Sequence, residues 1–252
     1  MSFSRVAALY DIHGNLPALE AVLEDLGRER VDLVMIGGDV LAGPMPVEAL
    51  ERLSALDVPV HCIHGNGERV VLAAIAGGDI SEVPEGYRPP IHWNAQQVTE
   101  RQRAWMSGWP LTHEIEIRGI GDVLFCHATP RNDTDCFTRA TPDERLMPAF
   151  AGVTAPLVVC GHTHMPFDRR VGGTRVVNAG SVGMPFCRPR GAYWLLLGPD
   201  IELRRTEYDF ASAAHRLRAT AFPMVEGLAV RYVLDPPSEA DSLQAFAKAE
   251  LS

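Results

Sequence analysis

The sequence predicts an α/β fold built on a parallel sheet, from three observations. Apolar runs of strand length, Val6-Ala7-Ala8-Leu9-Tyr10, Val31-Asp32-Leu33-Val34-Met35-Ile36 and Val58-Pro59-Val60-His61-Cys62-Ile63, each end in a short polar loop. After each loop, apolar residues recur at helical spacing. Strand, loop and helix therefore repeat three times, the signature of right-handed βαβ crossovers.

Taken in order, Pro17 suits the first turn of a helix in which Leu16, Leu19, Val22, Leu23 and Leu26 share one face up to Gly27. Gly37-Gly38-Asp39 closes the second strand and a helix follows over about Val47–Leu56. Gly65-Asn66-Gly67-Glu68 closes the third, with a helix over about Glu68–Ile75. Residues 77–93 carry Gly77-Gly78, Pro84, Gly86, Pro89 and Pro90 and predict a surface excursion beside the site, followed by a helix over Asn94–Ser107. Leu111–Ile117 and Asp122–Cys126 flank Gly119-Ile120-Gly121 as a hairpin running into His127. A polar loop, Ala128–Ala140, leads to Thr141-Pro142-Asp143-Glu144, which opens a helix with an N-cap and an acidic first turn. Pro156–Val159 is a buried strand delivering Cys160-Gly161-His162-Thr163-His164. Two hairpins follow, Phe167–Val171 with Arg175–Asn178 and Ala192–Leu197 with Ile201–Tyr208, and the chain from Phe210 is helical apart from a break at Pro236-Pro237. Residues 1–252 form one domain on this reading, with the excursion at about 77–107.

A formal charge of −9 without a basic run argues against stable nucleic-acid or anionic-membrane binding. No apolar run approaches the roughly 18 residues of a membrane span, and Met1-Ser2-Phe3-Ser4-Arg5 lacks the apolar core of a signal peptide. Five scattered cysteines, Cys62, Cys126, Cys136, Cys160 and Cys187, fit no disulfide framework and suit a reducing cytoplasm. Homo-oligomerisation is left open.

Chemistry concentrates at the predicted strand ends. Asp11 and His13 alternate along one loop, Asp39 and Asn66 follow the next two strands, His127 follows the hairpin, and His162 and His164 follow the strand at 156–159. Each motif alone is weak, since His-x-His or Asp-x-His arises readily by chance. Five motifs in order, Asp11-x-His13, Gly38-Asp39, Gly65-Asn66, His127 and Gly161-His162-x-His164, are a different matter.

In order and spacing these motifs resemble the calcineurin-like metallophosphoesterases over about residues 5–185, and with Asp11-Ile12-His13-Gly14-Asn15 and Asn178-Ala179-Gly180-Ser181 most resemble the small bacterial and archaeal phosphodiesterase branch. The resemblance implies a four-layer αββα sandwich of two mixed sheets flanked by helices. It implies two divalent metal ions, one held by Asp11, His13, Asp39 and His164, the other by Asp39, Asn66, His127 and His162, with Asp39 bridging. Such mixed carboxylate, imidazole and amide ligands suit Mn²⁺ best, with Fe, Ni or Zn as alternatives. Asp39, Asn66 and His127 are the implied catalytic residues, and the reaction is in-line attack on a small phosphate ester by a hydroxide bridging the ions.

Candidate substrate contacts are Asn15, Arg131 and His92. Arg131 could fork onto a phosphate or lie solvated, and His92 could reach substrate or belong to a loop anchored by Trp93. The chain departs from the pattern at Gly67, where many relatives carry a histidine that protonates the leaving oxygen. Phosphodiesters, cyclic nucleotides or activated esters are therefore expected, unless His64 or His92 substitutes. A phosphoprotein phosphatase, a dinucleoside polyphosphate hydrolase and a non-catalytic scaffold are the alternatives.

Overall fold

A computed structural model of the protein describes residues 2–247. In chain order its strands are β1 (Ser2–Phe3), β2 (Val6–Leu9), β3 (Leu33–Ile36), β4 (Val60–Cys62), β5 (Thr112–Ile117), β6 (Gly121–Cys126), β7 (Leu157–Cys160), β8 (Phe167–Val171), β9 (Thr174–Asn178), β10 (Ala192–Leu197) and β11 (Ile201–Thr206). They form two mixed sheets, ordered β11-β10-β2-β3-β4 and β1-β5-β6-β7-β9-β8. Neighbours β2, β3 and β4 are parallel, as are β6, β7 and β9, while the hairpins β5/β6, β8/β9 and β10/β11 are antiparallel.

The sheets face each other because β2 alternates. Val6 and Ala8 point inward with Leu33 and Met35 of β3 to meet Ile115, Val123, Phe125, Val159 and Val177 of the other sheet. Ala7 and Leu9 point outward, with Val34 and Ile36, onto the helices α1 (Leu16–Leu26) and α2 (Pro46–Ser54). Tyr10, just past β2, crosses the interface and its hydroxyl donates to the Val159 carbonyl at 3.0 Å. The outer face of the second sheet is covered by Phe137, Leu146, Ala149 and Phe150. This is the expected αββα order, though its fourth layer is thin.

Element boundaries depart from the sequence reading most at three places. After α3 (Asn66–Ile75), the helix expected over 94–107 begins earlier as α4 (Arg88–Gln97) and breaks at Val98. Pro89 and Pro90 fall in the first turn, where a missing N–H costs nothing. Thr99 then starts α5 (Glu100–Met106) with a capping box to Gln102. The helix opened by Thr141-Pro142 amounts to α6 (Asp143–Leu146) and one 3₁₀ turn, because Pro142 occupies the cap position without a side-chain bond and the Thr141 hydroxyl accepts from Thr138 N instead. Strand β11 ends at Thr206, not Tyr208. The C-terminal part comprises α7 (Phe210–Arg218), α8 (Val225–Leu228), a π-helical turn at Ala229–Leu234 and α9 (Glu239–Phe246), with its own apolar cluster around Leu217, Phe222 and Val233. Among the described residues no helix is long and apolar enough to cross a membrane.

Candidate metal centre

Parallel strands in register deliver their carboxyl ends to one edge: Leu9 pairs with Ile36, Ile36 with Cys62, Phe125 with Val159 and Cys160 with Asn178. All seven sequence-predicted ligand positions fall just beyond these ends. Two clusters result, Asp11 with His13 and His164, and Asp39 with His127 and His162, the potential ligand atoms of each lying within 4.8 Å of one another. Asn66, at the start of α3, joins the second through its Oδ1, 3.2 Å from His127 Nε2. The Asp39 Oδ2 atom lies between the clusters, 3.7 Å from His13 Nε2 and 3.6 Å from His127 Nε2.

The backbone is bent to hold this array. Asp11, His13, Asp39, His162 and His164 all have positive φ, between 47° and 64°. Asp and His tolerate the left-handed region better than most residues, but five such residues at one edge store strain that the surroundings must hold. Hydrogen bonds between loops do so: Asp11 N to Gly38 O, His13 N to Asp39 O, Gly161 N to His127 O and Gly183 N to Asp11 O. Asn178 donates to Gly161 O and accepts from Gly180 N, while the Ser181 hydroxyl donates to Asp11 O. The Asn178–Gly183 run thus braces the site as its small residues suggest.

The donors fit metal ions. His13, His127 and His164 each direct Nδ1 at a carbonyl, of Leu41 at 3.1 Å, Gly37 at 2.9 Å and Met184 at 2.7 Å. A carbonyl only accepts, so Nδ1 carries the hydrogen and Nε2 faces the cluster. His162 instead sets Nε2 beside the Cys136 thiol at 3.4 Å, leaving Nδ1 as its remaining ligand atom. Asp11 Oδ1 is buried without a hydrogen-bond partner, an arrangement a cation would relieve.

Charge is unevenly held. Burial and the adjacent His164 lower His13 to about 4, and burial with His127 lowers His162 to about 4. Burial also opposes a charge on His127, but the Asp39 and Asp11 carboxylates prevail and push it up to about 10. Conversely, burial would raise the carboxyls of Asp11 and Asp39, yet the facing imidazoles hold both below their usual range.

Glu68 escapes a motif search aimed at ligands. It is fully buried and its carboxylate accepts from Asp39 N at 2.7 Å, Gly65 N at 2.9 Å and Leu41 N at 3.0 Å. Burial, then the charge of Asp39, raises it to about 7. A lone acidic residue in the first turn of a helix reads in sequence as an ordinary dipole partner, so nothing marked it.

The expected substrate contacts lie differently. Arg131 forks onto Asp135, with Nη2 at 3.0 Å, at an exposed position. Asn15 is buried and caps α1, accepting from Ala18 N and donating to Gly183 O. His92 is exposed on α4, and the cavity wall there is made by Pro90 and Ile91. His64 packs near Trp109, at 6.1 Å between ring centroids, outside that wall. The cavity beside the clusters holds about 440 Å³ and reaches His13, Asp39, Asn66 and Gly67.

The class is a phosphoester hydrolase: residues 5–197 match the family described as the calcineurin-like phosphoesterase superfamily domain. The chain belongs to the calcineurin-like phosphoesterase superfamily. It is 26% identical over 245 residues to the protein MJ0912 of Methanocaldococcus jannaschii, covering 87% of this chain and 94% of that one. The crystal structure of a metallophosphoesterase from Sphaerobacter thermophilus superposes with a TM-score of 0.71 at 26% identity, covering 90% of this chain and 98% of that one. The fold is also that of the protein PH1004 from Pyrococcus horikoshii, with a TM-score of 0.77 at 22% identity over 92% of this chain and 98% of that one.

Proposed function

We propose that the protein is a two-metal phosphoesterase favouring phosphodiesters, cyclic nucleotides or activated esters over alkyl monoesters. The observation that supports it best is Asp39 Oδ2, nearly equidistant from an imidazole of each cluster. Asp11, His13, Asp39 and His164 would hold one divalent ion, and Asp39, Asn66, His127 and His162 the other, with Mn²⁺ the expected choice. When bound, two such ions supply Lewis acidity and an activated water for in-line displacement at phosphorus.

The chain's own residues do the rest. The Leu41, Gly37 and Met184 carbonyls fix three imidazoles so that ligand atoms need no reorganisation. Asn66 places an amide at the N-terminus of the ten-residue α3, whose dipole favours an approaching anion. Gly67 offers no proton donor, and neither His64 nor His92 lines the cavity to replace one. On this reading the leaving group departs without a histidine acid, and general-acid catalysis typically contributes about 10² to 10⁴ in rate.

The test is a Mn²⁺-supplemented screen of diesters, monoesters, 2′,3′-cyclic nucleotides and dinucleoside polyphosphates. Rates on aryl and alkyl esters should fall steeply as leaving-group pKa rises, and a flat dependence would refute the missing-acid element. Asp39→Asn should abolish turnover. A protein that takes up no Mn²⁺ would be a scaffold instead.

A further inference from the structure

The cavity beside the metal centre has a polar floor and an apolar wall. His13, Asp39, Asn66 and Gly67 lie at one end; the wall includes Tyr87, Pro90, Ile91, Phe222, Leu228 and Tyr232. Tyr87 and Met224, two of the six exposed large apolar side chains among the described residues, both line it. An apolar mouth next to a charged floor marks a site for a ligand with one anionic and one apolar end.

Charge on the wall is sparse. Arg69 is held by Asp133 on one side and Glu82 on the other, so its positive charge is already offset while it ties α3 to both neighbouring loops. Arg231 has no carboxylate partner among the described residues and lines the same cavity. It sits with Tyr232 in the π-helical turn Ala229–Leu234, which follows Met224, itself at φ +67°. Such turns are costly and concentrate where a fold aims side chains at a ligand.

The aromatic wall is also built into the centre. The Phe186 ring lies 4.4 Å from the His164 ring and 5.3 Å from that of Tyr232, at shallow angles of 37° and 35°. Trp93 packs edge-on against Phe222 at 5.4 Å. Tyr232 and Phe222 are therefore each held by an aromatic neighbour.

We propose, resting on the phosphoesterase reading above, that the substrate is a phosphate ester whose organic part is one planar ring system of roughly nucleoside size, seated against Tyr232 and Tyr87. About 440 Å³ lies at the small end of ligand pockets, which run from roughly 300 to 1,000 Å³. One arginine without a carboxylate partner, its guanidinium 5.9 Å from the centre of the Tyr232 ring, suits a single phosphate better than a polyphosphate chain. A ring against these faces gains stacking worth about 1–3 kcal/mol, or roughly 5- to 150-fold in affinity.

Isothermal titration of the full Mn²⁺-supplemented protein with methylphosphonate, phenylphosphonate and a thymidine 5′-phosphonate tests this without turnover. Both ring ligands should bind about tenfold or more tightly than methylphosphonate. Tightest binding of the phenyl compound points to an aryl ester, and of the thymidine compound to a nucleotide. Tyr87→Ala, at an exposed position that the fold does not need, and Tyr232→Ala should each remove most of the gain. Equal affinity for all three, or a ring preference that survives both substitutions, would overturn the assignment. Ring preference in a protein that hydrolyses no phosphate ester would instead count against the phosphoesterase reading.

Discussion

The Gly67 amide donates to Asp39 Oδ1 at 2.6 Å, and a Cβ built at Gly67 would lie 2.8 Å from that same oxygen. A side chain here cannot be added without moving the carboxylate that stands between the clusters. Gly67→Ala should therefore lower kcat/KM by about 10- to 100-fold, as a displacement near 1 Å does, even though alanine favours the helix by about 1 kcal/mol. Gly67→His should not restore acid catalysis, because the ring enters at the expense of Asp39. Steady-state kinetics alongside urea unfolding separates the two effects, and a Gly67→His variant faster on alkyl esters would contradict this account.

Glu68 holds three backbone amides from the loops that carry Asp39, Leu41 and Gly65. In Glu68→Gln one carboxylate oxygen becomes an NH₂ group, which must face an N–H donor. The expected cost is about 1–3 kcal/mol of stability. Manganese affinity should fall about 10- to 100-fold, the usual effect of losing a group that supports a metal ligand. Denaturant midpoints and metal titration check each part.

Metal should stabilise the fold, because Asp11 Oδ1 is buried without a hydrogen bond and faces only imidazole nitrogen, His164 Nε2 at 3.3 Å. At a hundredfold excess over Kd, Mn²⁺ adds about 2.7 kcal/mol. That corresponds to a rise in Tm of roughly 5–10 °C for a chain of this size. Asp39→Asn should lose most of the rise, whereas His92→Ala, exposed on α4, should retain it. Differential scanning calorimetry with and without chelator gives the comparison.

The metal-free protein should be most stable near neutral pH. His13 and His162 are held at about 4, so on acidification the unfolded chain takes up protons through pH 6.5 that the folded chain refuses until about 4. Stability therefore falls as pH drops across that window. His127 is raised to about 10, so its contribution is complete below 6.5 and is lost as pH rises through 10. Urea unfolding of chelator-treated protein from pH 4 to 10 should trace a dome. His127→Gln should flatten its alkaline side.

Manganese binding at pH 7 to 8 should release the His127 proton, since a ring held at about 10 must give it up to ligate. Calorimetry in buffers of different ionisation enthalpy measures that release, and His127→Gln should lose it.

The strand-end positions that gather at one edge were legible because strand ends, alternation and Gly-flanked acidic loops leave local traces, whereas the division into two sheets came only through the family resemblance. Asp11, Asp39 and His164 could be placed at one edge from order alone. Their left-handed backbone could not, since it is imposed by bonds between loops such as Gly183 N to Asp11 O, 172 residues apart in sequence. The pairing of Arg131 was not legible for the same reason in miniature. Its partner Asp135 lies only four residues on, but a polar loop carries no period that predicts who pairs with whom. Pro89 and Pro90 signalled a break and instead begin α4, because proline's missing amide is harmless in a first turn. The cavity wall left no trace at all, since Tyr87 and Tyr232 meet only through the tertiary fold.

The segment from Phe222 to Tyr232 lies beyond residues 5–197, the span shared with the superfamily domain, yet it walls the cavity and touches His164 through Phe186. With the substrate seated as proposed, part of its selection is written outside the stretch that carries the metal centre, and part, at Tyr87, within it. Two proteins alike up to residue 197 and unlike afterwards should then share a centre and differ in the molecules they accept. Grafting the tail of one onto the other should shift that choice and leave the centre in place.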